Sequence, residues 1–230
     1  MIPRALVTGG NGRLGSAVAR LLVDSGYEVH VTLRDRAGAD AFAQSPGGRG
    51  LVAHGADLGD DADVRALFTA IGPPLAALVH TVGGFMAGPF AETDEASLEA
   101  QEGINLRSAL LTMRSAHGVL AANPGGAAAV LTVNRPALLG SGPGVALTTA
   151  MKAGVVSLVR SLAEEWKEAG IRVNAVAPGI MDTPENRRDM PKGDPSRWPT
   201  PDAVARVIRL LLSDDARIVS GAIVPAYGRS

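Results

Sequence analysis

The chain has 230 residues, 46% apolar and 20% charged, which is enough for a sizeable buried core and excludes a disordered chain. A formal net charge of −1 leaves no basic field for nucleic acid or an anionic membrane. The absence of cysteine excludes disulfides, a thiolate nucleophile and a Cys-ligated zinc.

In chain order, Met1-Ile2-Pro3-Arg4 runs straight into a strand-like segment, with no room for a signal sequence. Together with the missing cysteines, this leads us to expect a cytoplasmic protein. Residues 4–7 read as a buried strand ending in Thr8-Gly9-Gly10. Residues 11–25 read as a helix with Leu14, Val18, Leu21 and Leu22 on one face and Gly26 at its stop. Further strands are expected at 28–33, 51–54, 75–80, 128–133, 172–177 and 222–224. Helices are expected at 61–70, 95–122, 145–169 and 201–212, the last with Pro201 in its first turn. The longest uncharged stretch, 115–134, holds His117, Asn123, Pro124, Gly125 and Gly126, so it is not a membrane helix.

Alternating strands and helices require crossover connections. The expected fold is α/β, one doubly wound domain over 1–230, with a parallel sheet of about seven strands and helices on both faces. Ligands of such a sheet sit beyond the C-terminal ends of its strands, which puts the chemistry after Val7, Leu33, His54, His80, Val133 and Ala177.

After the first strand comes Thr8-Gly9-Gly10-Asn11-Gly12-Arg13-Leu14-Gly15. Glycines let the backbone turn sharply against a pyrophosphate, and the helix that follows points free N–H groups at it. A strand before the turn and a helix after it are the context that a dinucleotide site requires. The second strand ends in Thr32-Leu33-Arg34-Asp35-Arg36. Leu33 stands where an acid would bind a ribose 2′-hydroxyl, and Arg34 suits a 2′-phosphate, so NADP(H) is favoured over NAD(H). The alternative is that Arg34 is a loop charge paired with Asp35.

With these residues the chain resembles the short-chain dehydrogenase/reductases. The resemblance spans nearly the whole sequence. It rests on Thr8-Gly9 through Gly15, Ala56-Asp57-Leu58, Asn105, Lys152, Arg172-Val173-Asn174-Ala175-Val176-Ala177-Pro178-Gly179 with Thr183, and the ending Ser220 to Gly228. It implies a Rossmann fold and a nicotinamide coenzyme, with Asp57 and Leu58 by the adenine and Val82-Gly83 by the adenosine ribose. By the same resemblance, Lys152 holds the nicotinamide ribose, and Pro178, Gly179, Ile180 and Thr183 line the nicotinamide. It also implies a small-molecule substrate and a homodimer or homotetramer paired through the helices at 95–122 and 145–169.

The sequence departs from the family in two places. Arg13 replaces the usual glycine, as in the family's pteridine reductases, while Gly12 matches the spacing of extended members. Arg13 is expected to touch a phosphate or the substrate, a surface charge being the alternative. At the active site, the family's Tyr four residues before the Lys is Thr148, its Ser is Arg135, and its pair of asparagines after the fourth strand is His80-Thr81. Only Asn105 and Lys152 of the expected catalytic set remain. A phenol of pKa ~10 beside an ammonium can be tuned for proton transfer near neutrality, whereas an aliphatic hydroxyl titrates near ~15.7, like water. Arg135 could recognise a carboxylate, phosphate or enolate-like oxygen, or turn outward or pair with Glu102 or Asp182.

The four histidines look scattered, with no metal-ligand spacing. No serine lies in a nucleophile elbow, which argues against a hydrolase. Trp198, in the loop expected to cover the substrate, reads as a packing anchor or a lid contact. Two functions fit: an NADP(H)-dependent reductase of a conjugated or activated acceptor, or a non-catalytic NADP(H)-binding sensor or partner subunit.

Overall fold

The computed structural model describes residues 2–140 and 142–230. Seven strands form one parallel sheet in the order β3-β2-β1-β4-β5-β6-β7: β1 (Arg4–Thr8), β2 (Glu28–Leu33), β3 (Leu51–Gly55), β4 (Ala77–His80), β5 (Ala127–Thr132), β6 (Ile171–Pro178) and β7 (Ile223–Ala226). The order reverses at β1, so a crevice opens between the loops after β1 and β4. This is where a doubly wound sheet binds its ligand.

Successive strand residues point to opposite faces, and the core follows that alternation. On one face Leu6, Leu78, Leu131 and Val173 pack under α3 (Asp61–Ile71), α5 (Ser108–Ala121) and α7 (Ala146–Glu165). On the other, Ala5, Val7, Val31, Val79 and Val176 pack under α1 (Arg13–Asp24) and α9 (Pro201–Leu212). Leu6, Leu78 and Leu131 are fully buried, and each contributes about 2 kcal/mol through its transfer from water. Caps set the helix starts: Asp60 accepts from the N–H of Asp63 for α3, and Thr200 from that of Ala203 for α9.

Three short helices lie outside the predicted elements: α2 (Arg36–Ala43), α6 (Pro136–Leu139) and α8 (Pro184–Asp189). The predicted helix at 95–122 is helical throughout but divided. α4 (Glu95–Glu102) passes through a π-helical turn, Gly103–Arg107, into α5. The predicted 145–169 helix ends as α7 at Glu165, followed by a single tighter turn at Lys167–Ala169.

The histidines are not all scattered, which corrects the sequence reading. His30 Nδ1 lies 2.8 Å from His54 Nε2, and His30 Nε2 lies 3.1 Å from Glu28, beside Arg4. Strand pairing places them on one face of the sheet, and burial lowers both histidine pKa values. Among the described residues no group of three possible ligands could hold a metal.

Candidate coenzyme and active site

The loops at the C-terminal strand ends enclose a cleft of about 680 Å³, lined by Gly9, Arg34, Asp57, Leu58, Val82 and Gly84 among others. Gly9 has φ +71°, where only glycine is unstrained, and the Gly9 N–H donates to Thr32 Oγ1 at 3.1 Å. A Cβ on Gly15 would lie 2.1 Å from the Gly9 carbonyl oxygen, so only glycine lets α1 approach the turn this closely. α1 starts after Gly12 with no side-chain cap and no acidic residue in its first turn. Its first N–H groups thus have no side-chain acceptor of their own, as suits a phosphate. Leu14 is buried in the core and serves packing.

Arg34 stands exposed at the tip of β2. Asp35 does not pair with it. The Asp35 carboxylate caps α2 by accepting from the Gly38 N–H at 2.7 Å, and Arg34 forms no ion pair among the described residues. Asp57 turns the next loop by accepting from the Gly59 N–H at 2.9 Å. Arg107, which the sequence reading passed over, donates to the Gly59 carbonyl at 2.8 Å and also lines the cleft. The glycine cradle, the free guanidinium and the cleft together fit a dinucleotide.

The π-helical turn aims Asn105 inward, fully buried. Its amide donates to the Gly84 carbonyl at 3.0 Å and to Gln101 Oε1 at 3.0 Å, and its oxygen accepts from the Gly84 N–H at 3.1 Å. Thr148 Oγ1 lies 3.1 Å from both the Met86 carbonyl and the Met86 N–H, and 3.2 Å from Gln101 Oε1. Lys152 Nζ donates to the Thr132 carbonyl at 3.2 Å and sits against Gly83, where a Cβ would lie 2.7 Å from it. Burial lowers the Lys152 pKa to about 8. Asn105 and Thr148 therefore grip the main chain of Gly84 and Met86, Gln101 bridges their two side chains, and Lys152 flanks Gly83. Gln101 was missed; its position one turn before Asn105 was the available signal.

His80 is buried at the end of β4. Its Nδ1 lies 3.1 Å from Thr8 Oγ1 and its Nε2 3.5 Å from Ser108 Oγ. Burial first, and the Lys152 charge second, push its pKa down to about 3, so the ring is neutral and ties β1 to β4. Thr8 also receives the Thr81 N–H at 3.2 Å. It serves the turn's frame.

Neither Glu102 nor Asp182 pairs with Arg135. It turns outward to the Ser230 main-chain oxygen and lies over the Tyr227 ring, 5.1 Å from its centroid. Asp182 pairs with Arg187 instead. Pro178 ends β6, Gly179 lies against Tyr227 and Ser230, and Ile180 is exposed. Thr183 caps α8 by accepting from the Asn186 N–H at 3.2 Å. Arg13 is held by Glu185 of α8. Trp198 is buried against Gly193, the packing anchor of the two roles considered.

A seven-stranded, doubly wound sheet with a glycine-cradled cleft at its switch point defines a nucleotide-binding α/β protein. The profile of the family described as enoyl-(acyl carrier protein) reductase matches residues 11–228. The chain is 32% identical to (2S)-[(R)-hydroxy(phenyl)methyl]succinyl-CoA dehydrogenase subunit BbsD of Thauera aromatica, over 97% of this chain and 94% of that one. It is 31% identical to 3-oxoacyl-[acyl-carrier-protein] reductase MabA of Mycobacterium tuberculosis, over 97% and 90%. A solved short chain dehydrogenase/reductase family protein superposes with a TM-score of 0.87 at 31% identity, covering 98% of this chain and 96% of that one. ElxO, solved with NADP bound, shares the fold, with a TM-score of 0.89 at 23% identity over 99% and 98%. The chain belongs to the short-chain dehydrogenase/reductase family, whose members are NAD(P)-dependent oxidoreductases.

Proposed function

We propose that the chain is a cytoplasmic NADP(H)-binding oxidoreductase with an atypical active site, acting on a conjugated or activated small molecule. Arg34 carries the coenzyme reading: a cation with no acidic partner among the described residues at the tip of β2, with Leu33 where an acid would select NAD(H). The NADP bound to ElxO supports the same reading. Calorimetric titration should find NADPH at least about tenfold tighter than NADH, and Arg34→Ala should remove most of that ratio, a charge-assisted contact being worth about 1.5–3 kcal/mol. Equal binding of the two coenzymes would refute it.

When bound, the coenzyme supplies or accepts a hydride. In this reading Lys152 and Asn105 hold the nicotinamide ribose and a water. Neither residue that stands for the family's Tyr and Ser delivers a proton to a carbonyl oxygen, because Thr148 is committed to Met86 and Arg135 turns to Ser230, and Lys152, whose pKa of about 8 would suit, is taken up with the ribose and the Thr132 carbonyl. An acceptor that takes its proton from water suits such a site. The second reading, a non-catalytic NADP(H) sensor or partner subunit, draws support from the same Thr148–Met86 pairing, which settles main chain against the eroded catalytic residues. Purified protein mixed with NADPH separates the two. Coenzyme consumption with enone, quinone or pterin panels supports the enzyme, and tight binding without consumption supports the sensor.

Wild-type protein should reduce simple ketones very slowly. Thr148→Tyr with Arg135→Ser should raise that activity at least about tenfold, within the 10²–10⁴ that a general acid supplies. Thr148→Tyr alone should do less, since no serine hydroxyl then supports the phenol. The glycines at 83, 84 and 88 give the Met86 loop room to yield to the ring. Brisk ketone reduction by the wild type would contradict the argument.

The reading also makes the chain a homo-oligomer. Leu110, Leu111, Met113, Leu158, Leu162 and Trp166 line a groove between α5 and α7, and Leu110 is 44% exposed. Light scattering at micromolar concentration should give a dimer or tetramer; a monomer would refute this.

A further inference from the structure

Arg13 and Glu185 come from segments that follow two different strands, β1 and β6. Arg13 is the first residue of α1, at the glycine turn, and Glu185 lies on α8 in the segment after β6. Arg13 Nε lies 3.2 Å from each Glu185 carboxylate oxygen, and Nη2 lies 2.6 Å from Oε1, a bidentate grip. The carboxyl pKa is held down to about 2, by the Arg13 guanidinium first and with a smaller contribution from the Thr183 hydroxyl. Arg13 and Thr183 are both residues assigned above to the coenzyme. The carboxylate that grips Arg13 comes from α8, while α1 has no acid of its own in its first turn.

We infer that Glu185 is an internal competitor of the coenzyme, its carboxylate taking the place of a coenzyme oxyanion at Arg13 until the dinucleotide displaces it. The inference rests on the NAD(P)H-binding reading above. Glu185 occupies the Nε–Nη2 edge of Arg13, and one edge serves one oxyanion at a time, so a phosphate takes that edge only after Glu185 is released. Release is easy because the two side chains are 58% and 45% exposed, and an exposed pair is weak. A pyrophosphate carries more charge than one carboxylate and wins the exchange. Glu185 thus sets coenzyme affinity without touching the coenzyme, and its release frees α8 as the coenzyme enters.

Titration of the full chain tests this. Glu185→Gln should bind NADPH about three- to fivefold more tightly than wild type, the range that an exposed ion pair can supply. Stopped-flow should show faster association. Adenosine 2′-monophosphate has no pyrophosphate, so its affinity should not change. In an Arg13→Gln background, which should itself weaken NADPH binding, the Glu185→Gln gain should vanish. Equal or weaker NADPH binding by Glu185→Gln would overturn the inference, as would a gain that persists without Arg13. If wild type binds neither NADPH nor adenosine 2′-monophosphate, the coenzyme reading itself falls, and the inference falls with it.

Discussion

Gly15→Ala is expected to weaken NADPH binding by at least about a hundredfold and to lower folding stability by about 2 kcal/mol. The added methyl carbon would lie 2.1 Å from the Gly9 oxygen and 2.9 Å from both the Gly9 carbonyl carbon and Thr81 Oγ1. The first two are backbone atoms, and Gly9 cannot retreat freely because its N–H is held by Thr32 Oγ1. The turn must open, which carries the helix start away from where a phosphate would rest. Gly118→Ala is the matching control. Gly118 is an exposed glycine inside α5 with nothing within 4 Å of an added Cβ, so alanine there should stabilise by about 0.5–1 kcal/mol and leave binding alone. Calorimetry with NADPH and denaturant melts of both variants measure the contrast. Near-normal coenzyme affinity in Gly15→Ala would show that the phosphates do not rest on this turn.

Acid should destabilise the protein through His80 by several kcal/mol. Its pKa is about 3 in the folded chain and ~6.5 when unfolded, so the unfolded state takes up the proton first as the pH falls. The stabilisation from the neutral ring is complete above about pH 6.5 and is lost progressively toward pH 3, at up to about 1.4 kcal/mol per pH unit. The expected total is about 5 kcal/mol. The ring cannot escape by accepting a proton in place, since burial and the Lys152 ammonium both oppose a second charge. His80→Asn should remove this component, so its stability should fall less steeply between pH 6.5 and 4 even if it starts lower. The exposed carboxylates with lowered pKa, Glu185 and Asp182 among them, add acid sensitivity of the same sign, and it cancels in the difference between the two proteins. Parallel pH profiles of the wild type and His80→Asn would refute the assignment.

Most of the fold was legible because strands and helices announce themselves locally. Ala77 to Val79 is a continuous apolar run that only a sheet covered on both faces needs. The faces of α1 and α9 repeat at helical spacing. The glycine turn was legible for a similar reason: a close backbone approach demands glycine, whatever the rest of the chain does. The short helices α2, α6 and α8 were not. Four to eight residues give too few periods for a pattern, and α2 and α8 owe their starts to the Asp35 and Thr183 caps. The π-helical turn that aims Asn105 inward was not legible either, because its five residues, Gly103–Arg107, are a single turn inside a longer helix and carry no residue type that marks it.

The sequence by itself determined the family, the place of the cleft and the absence of a tyrosine four residues before Lys152. Those depend on which residue types stand at which positions, and a missing hydroxyl or phenol is missing in any conformation. Only the tertiary structure decided what the substituted residues do. Thr148 binds Met86, Arg135 turns to Ser230 and Tyr227, His80 joins two strands, and Arg13 meets Glu185 from 172 positions away. Each of these contacts is made between segments distant in the chain. The partner of a flexible or polar side chain is chosen by whichever complementary group the fold brings within reach, and no local pattern records that choice.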